Sequence, residues 1–205
     1  MKLKAGDVIK IYRSSFGGYY HFGIYTGKEE VIHYVETYNG FSKGIIKKTS
    51  LEEFIDNSDI SNLEIVIYPN HRSGRTTSVS AEIFTTAVNG KMVNGSIIAG
   101  CLEWLCSQFN EYIIYSNKET LERAKSKIGE SSYNLLFNNC ESFCTWCKTN
   151  VRRSEQVEDA FREAIDEKIY DDGFLGHINT DGPVELPVER KMKRIIKNKI
   201  LDLFF

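Results

Sequence analysis

Three positions far apart in the chain carry side chains suited to nucleophilic chemistry: His21 in YHFGIYT, His33 in EVIHYV and Cys140 in NNCESFCTWCKTN. Two imidazoles side by side suit a base and the group that orients it: one takes a proton, the other holds its partner's ring and tautomer. Cys140 supplies the nucleophile. It directly follows Asn138 and Asn139, either of which can cap a helix. A thiol in the first helical turn feels the positive end of the helix dipole, which favours thiolate, and a nearby imidazolium would lower its pKa further. This is the ion-pair logic of cysteine hydrolases, whose nucleophile and base are distant in sequence.

Cys144 and Cys147 also crowd this stretch. With Cys140 they fall at i, i+4 and i+7, one face of a helix, so packing accounts for the later two. A zinc site would need Cys101 and Cys106 as partners at a spacing unlike the usual paired motifs. No βαβ pattern surrounds the pair, which argues against a thioredoxin-like role. His71 and His177 sit in loop-like segments and receive no role. No metal or cofactor is called for.

For His21 and His33 to meet, the chain between them must turn tightly. VIKIY (8–12), YHFGIYT (20–26), EVIHYV (30–35) and LEIVIY (63–68) are β-branched and aromatic, with turn residues between them, and read as antiparallel strands. A three-residue loop at Thr26-Gly27-Lys28 would set His21 directly opposite His33. A loop shifted by one residue would make them diagonal neighbours on one face. A two-residue loop would send them to opposite faces.

SLEEFIDN (50–57) reads as a short helix between strands. SNKETLERAKSKIG (116–129) reads as a longer one, with Ser116 and Glu119 at capping-box spacing, Leu121, Ala124 and Ile128 as its buried face, and Gly129 as its stop. YNLL (133–136) reads as extended. Ile98, Cys101, Leu102, Leu105 and Phe109 repeat at helical spacing in GSIIAGCLEWLCSQFNEY, and SEQVEDAFREAIDEKI (154–169) is a further amphipathic helix.

Composition bounds the function. With 205 residues, 41% hydrophobic, the chain can bury a core, and a net charge of −2 makes no electrostatic case for nucleic-acid binding. MKLKAGDVIKIY is interrupted by charge and glycine before any secretory apolar region forms. No stretch reaches the roughly 18 uninterrupted apolar residues of a spanning helix. Five clustered cysteines suggest free thiols in a reducing, cytoplasmic setting.

The blocks GDVIKIYR, HFGIYTG, VIHY, ERAKSKIG, YNLLFNNCESF and RSEQV occur in the order seen in the lecithin retinol acyltransferase family. The chain resembles that family over roughly residues 5–68 and 116–160. The resemblance implies an α+β fold of the circularly permuted papain-like kind: an N-terminal antiparallel sheet packed against a helix that bears the nucleophilic cysteine. It implies His21 as general base, His33 as orienting member and Cys140 as nucleophile, with Arg13 near the site. Ser142 departs from the family's N-C-E-H-F pattern, in which a histidine stands at that place. Residues 70–115 are longer than the matching segment of compact relatives.

The implied organisation is a catalytic domain over 1–169, with an insertion at about 70–115, then a linker and a basic amphipathic segment over 170–205. The implied reaction is acyl transfer from a glycerophospholipid, through a cysteine thioester, to water, an amine or an alcohol. RKMKRIIKNKILDLFF (190–205) has Met192, Ile195, Ile196, Ile200 and Leu203 at helical spacing between basic residues, a pattern able to lie on an anionic membrane surface or to pack on protein. Two rival functions use the same fold. One is a papain-like peptidase, amidase or deamidase with the same three residues. The other is a non-catalytic binding module, against which the intact His21, His33 and Cys140 argue.

Overall fold

The structure is a computed structural model. It describes residues 2–14, 18–36, 44–70, 110–132, 139–157 and 159. The elements below fall in one compact unit formed by Met1–Arg13, Tyr20–Gly74 and Asn94–Ser154, with Tyr19 the one element residue outside it. A second unit comprises Ser14–Tyr19, Arg75–Val93 and Glu155–Phe205. Of its described residues, 155–157 and 159 are helical, at the start of the expected 154–169 helix. The rest of that helix, the YNLL segment, residues 71–109 of the insertion and the 190–205 segment lie outside the described residues.

Among the described residues one antiparallel sheet contains β1 (Val8–Arg13), β2 (Tyr19–Gly27), β3 (Glu30–Glu36), β4 (Gly44–Ser50) and β5 (Glu64–Ile65), in the order β4-β3-β2-β1-β5. The expected strand at 63–68 shortens to the two residues paired with Ile9 and Lys10. β4, by contrast, was not anticipated. Its GIIKKTS sequence has paired lysines that break the apolar pattern, and both are exposed on the flank of β3.

Strand alternation sends the apolar residues to two layers. On one face Val8, Phe22, Ile24, Ile32, Tyr34 and Ile46 pack with α2 (Asn117–Lys125) and α3 (Cys140–Thr149), through Ala124, Phe143, Cys144 and Cys147. On the other face Ile9, Ile11, Tyr25 and Val31 pack with α1 (Leu51–Ile55), through Leu51 and Phe54. Cys144 and Cys147 therefore serve as core residues.

The helix ends follow local chemistry. Ser50 caps α1 by accepting from the Glu53 N–H. Ser116 and Glu119 form the full capping box expected for α2. α2 stops at Lys125, and a turn carries the chain to Gly129, whose φ of +93° suits glycine. Ala124 is buried as expected, but Ile128 lies in that turn and is 46% exposed. Residues 110–115 are not helical; Ile113 and Tyr115 donate backbone hydrogen bonds to Thr149 and Lys148 at the end of α3. No helix of the described residues is long and apolar enough to cross a membrane.

Candidate active site

The β2–β3 hairpin decides whether the two histidines meet. Its turn is the two-residue Lys28-Glu29, with φ of 55° and 56°. A plain ladder from such a turn would send His21 and His33 to opposite faces. A bulge between Tyr25 and Gly27 adds one residue to β2, and the register becomes Tyr25↔Val31, Ile24↔Ile32 and Gly23↔His33. Same-face parity is thereby restored. His21 and His33 are diagonal neighbours, and Nε2 of His21 lies 2.8 Å from Nδ1 of His33.

Both rings are buried, on the α1 side of the sheet. Phe54 of α1 packs against them, with centroids 5.2 Å from His21 and 5.1 Å from His33. Gly23, paired with His33, leaves the room for this. A Cβ there would stand 2.5 Å from Val31 Cγ1 and 2.8 Å from Phe54 Cε2. His33 makes two further contacts: Nε2 lies 2.8 Å from the Thr49 hydroxyl of β4, and Nδ1 lies 2.9 Å from its neighbour Tyr34's carbonyl.

Burial keeps this pair neutral. It holds His21 well below the usual imidazole range, helped by His33 and then Arg13. It brings His33 down to about 3, with Arg13 acting in the same sense and the Tyr34 carbonyl opposing. Arg13, at the end of β1, is therefore close enough to act on both rings. Its Nη2 donates to the Phe54 carbonyl, while its buried Nε has no hydrogen-bond partner among the described residues.

Cys140 is the first residue of α3. Of the two asparagines, Asn139 is the cap: its side-chain oxygen accepts from the Ser142 N–H at 2.8 Å. Ser142 is buried, and its hydroxyl donates back to the Asn139 carbonyl. The sulfur meets β2 at the backbone flanking His21. The thiol points at the Tyr20 carbonyl at 4.0 Å, and the Phe22 and Glu141 N–H groups act on it as hydrogen-bond donors. The structure thus joins His21 directly to His33 and sets Cys140 against the strand segment that carries His21.

The expectation of a resting thiolate is corrected. Burial pushes the Cys140 thiol up to about 11; the Phe22 N–H, Arg13 and the Glu141 N–H pull downward without prevailing, and the Glu141 carboxylate adds to the rise. The helix start does favour thiolate, but a thiol on a residue only 6% exposed loses more in hydration than that position returns. At rest the thiol is neutral, packed with the core on the α2 and α3 side of the sheet, and the neutral imidazoles lie on the α1 side.

Three contributors escaped the sequence reading. Thr49 lies on the unanticipated β4. Phe54 looked like any buried face of a short helix. Ser154 donates to Glu141 at 2.6 Å, holding the carboxylate next to the nucleophile, and both are buried. The joint presence of NCE and RSEQV was the available signal for that last contact.

The family model described as Lecithin retinol acyltransferase matches residues 1–153. The chain is 26% identical over 160 residues to a mouse protein named Lecithin retinol acyltransferase, covering 75% of this chain and 57% of the relative. A rat protein of the same name is 28% identical over 160 residues, covering 78% and 60%. Protein LEAD-SENSITIVE 1 of Arabidopsis thaliana is 25% identical over 155 residues, covering 72% and 58%. The matched stretch spans less than two thirds of each relative's length.

Proposed function

This chain belongs to the lecithin retinol acyltransferase family, and from that membership we propose that it is a cysteine-dependent acyltransferase or phospholipase. Its substrate is the acyl ester of a glycerophospholipid. The observation that carries the reading is the Cys140 sulfur at a capped helix start, lying against the backbone that flanks His21, whose ring is held by His33.

In the proposed reaction His21 takes the thiol proton as sulfur bonds to the ester carbonyl carbon. Nε2 of His21 is engaged by His33, so Nδ1 is the accepting nitrogen. The tetrahedral oxyanion receives the Cys140 backbone N–H at the helix start, and the Arg13 guanidinium supplies positive charge close by. Collapse breaks the ester C–O bond. The departing alkoxide takes the proton back from His21 and leaves as lysophospholipid, and the acyl group stays on sulfur as a thioester.

Water, an amine or an alcohol then attacks the thioester. His21 accepts the attacking group's proton and returns it to the departing sulfur. With both partners neutral at rest, the base must act as sulfur attacks, instead of waiting beside a preformed thiolate. The fold context is a permuted papain-like arrangement of sheet and cysteine helix. The catalytic domain runs over 1–169, and the 190–205 segment brings it to an anionic bilayer.

The test is intact mass after incubation with an acyl-labelled phospholipid. An acyl adduct on the unmodified protein and none on Cys140→Ala supports the reading. Cleavage of peptides or amides with no acyl adduct from lipid moves the assignment to the peptidase or amidase class.

A further inference from the structure

The β2–β3 ladder ends one rung early, and Cys140 stands at the gap. Its last register pair is Gly23↔His33, although β2 runs on to Tyr19 and β3 to Glu36. The pair that would follow is Phe22 with Tyr34. Further along β2, the Tyr25 N–H donates to the Asp7 carbonyl and the Tyr25 carbonyl accepts from the Gly6 N–H, both on the β1 side. Backbone groups alternate edges along a strand, so the Phe22 N–H and the Tyr20 carbonyl face the β3 edge.

At this open edge the sulfur takes the place of a strand. The thiol points at the Tyr20 carbonyl at 4.0 Å, and the Phe22 N–H acts on the sulfur as a donor. The Tyr34 carbonyl, which a continued ladder would pair with that N–H, lies instead 2.9 Å from His33 Nδ1. The open rung thus gives its donor to the nucleophile and its acceptor to His33.

A thiol can donate to one of these backbone groups and accept from the other. A thiolate can only accept. Once the proton has gone to His21, the sulfur has nothing to offer the Tyr20 carbonyl, and the Phe22 N–H faces a charged acceptor. Hydrogen bonds to an ionised partner are roughly twice as strong as neutral ones, so this N–H gains as charge builds on sulfur. We propose that the Phe22 backbone N–H is a catalytic donor, stabilising the negative charge that sulfur carries as it attacks the ester and as it leaves the thioester. The inference rests on the reading of Cys140 as nucleophile. β2 fixes the direction of the N–H before the reaction begins, so no reorganisation is needed when the charge appears.

Genetic incorporation of phenyllactic acid in place of Phe22 exchanges the N–H for an ester oxygen and keeps the side chain. The matching hydroxy acid in place of Ile24, whose register partner is Ile32, controls for the ester itself. The burst of p-nitrophenol from p-nitrophenyl acetate, with intact mass, reports acylation of Cys140 independently of any lipid. In the Phe22 analogue it should fall about tenfold to a hundredfold, the scale of one hydrogen bond to a charged group. The Ile24 analogue should acylate like the wild type. Alkylation of Cys140 by iodoacetamide should also slow in the Phe22 analogue. A rung with only a structural role would loosen, admit water to the sulfur and alkylate faster.

Hydrogen exchange on Cys140→Ala is the arm that needs no analogue to fold. Relative to the Ile24 amide, the Phe22 amide should exchange about tenfold faster than in the wild type. Unchanged protection overturns the inference. So does a wild-type burst in the Phe22 analogue, faster alkylation there, or an equal loss of acylation in both analogues. No acyl adduct on the wild type from either p-nitrophenyl acetate or phospholipid overturns both this inference and the assignment of Cys140. An adduct from the acetate alone strikes the lipid substrate and leaves Phe22 in place.

Discussion

Lowering the pH from about 7 to about 5 should destabilise this fold through its two buried histidines. The folded protein holds His33 at about 3 and His21 well below the ordinary range, both through burial. In the unfolded chain each titrates near 6.5. Both pKa values are depressed in the folded state, so the unfolded state binds more protons below 6.5. Stability is complete above that value and is lost as the pH falls towards the folded values. At about pH 5 each ring lies roughly 1.5 units below its unfolded pKa, or about 2 kcal/mol, and the pair together costs about 4 kcal/mol. That is a large share of the roughly 5–15 kcal/mol of a typical domain. The depressed carboxylates Glu30, Asp59, Glu119 and Glu130 lose stability only at more acid pH and leave this window to the histidines. The assay is urea unfolding followed by tryptophan fluorescence at about pH 7, 6 and 5. His21→Gln and His33→Gln serve as variants that cannot take the proton. Each should remove about half of the pH-dependent loss, whatever it does to stability at pH 7. Equal wild-type stability at pH 7 and 5, or a His33 that titrates near 6.5 by NMR, would refute the reasoning.

Two more predictions follow from the same geometry. Alkylation of Cys140 by iodoacetamide, read from its own peptide, should keep rising through about pH 10, because burial raises this thiol to about 11; a rate already level below pH 7 would restore the ion-pair picture. Gly23→Ala should cost about 1–3 kcal/mol through overpacking, since its Cβ would meet Val31 at 2.5 Å and Phe54 at 2.8 Å. The same change should slow acylation of Cys140 by disturbing the His33 contacts, and an unchanged urea midpoint would show that Phe54 moves aside freely.

Much of the frame was legible because it is written in local chemistry. β-branched runs around His21 and His33 form the expected strands, Ser50 and Ser116 cap the expected helices, and Asn139 opens the helix of Cys140. Misjudged boundaries share a cause. LEIVIY is apolar but for Glu64, yet its ladder with β1 covers only Glu64 and Ile65, with one more bond from the Val66 N–H to the Val8 carbonyl. GIIKKTS is broken by two lysines, yet all of it pairs with β3. Strand existence depends on the neighbour as well as on propensity.

By itself the sequence determined which residue types were on hand: two imidazoles on one hairpin, a thiol after a capping asparagine, and an ordered set of family blocks. These are properties of single residues and their near neighbours. Whether the imidazoles shared a face rested on one bulge residue in β2. Whether the sulfur was charged rested on how much water reached it. The partner of His33 Nε2 is a hydroxyl on a strand that pairs 16 residues further along the chain. Register, hydration and long-range hydrogen bonding exist only after the chain has closed on itself, so the tertiary structure alone decided them.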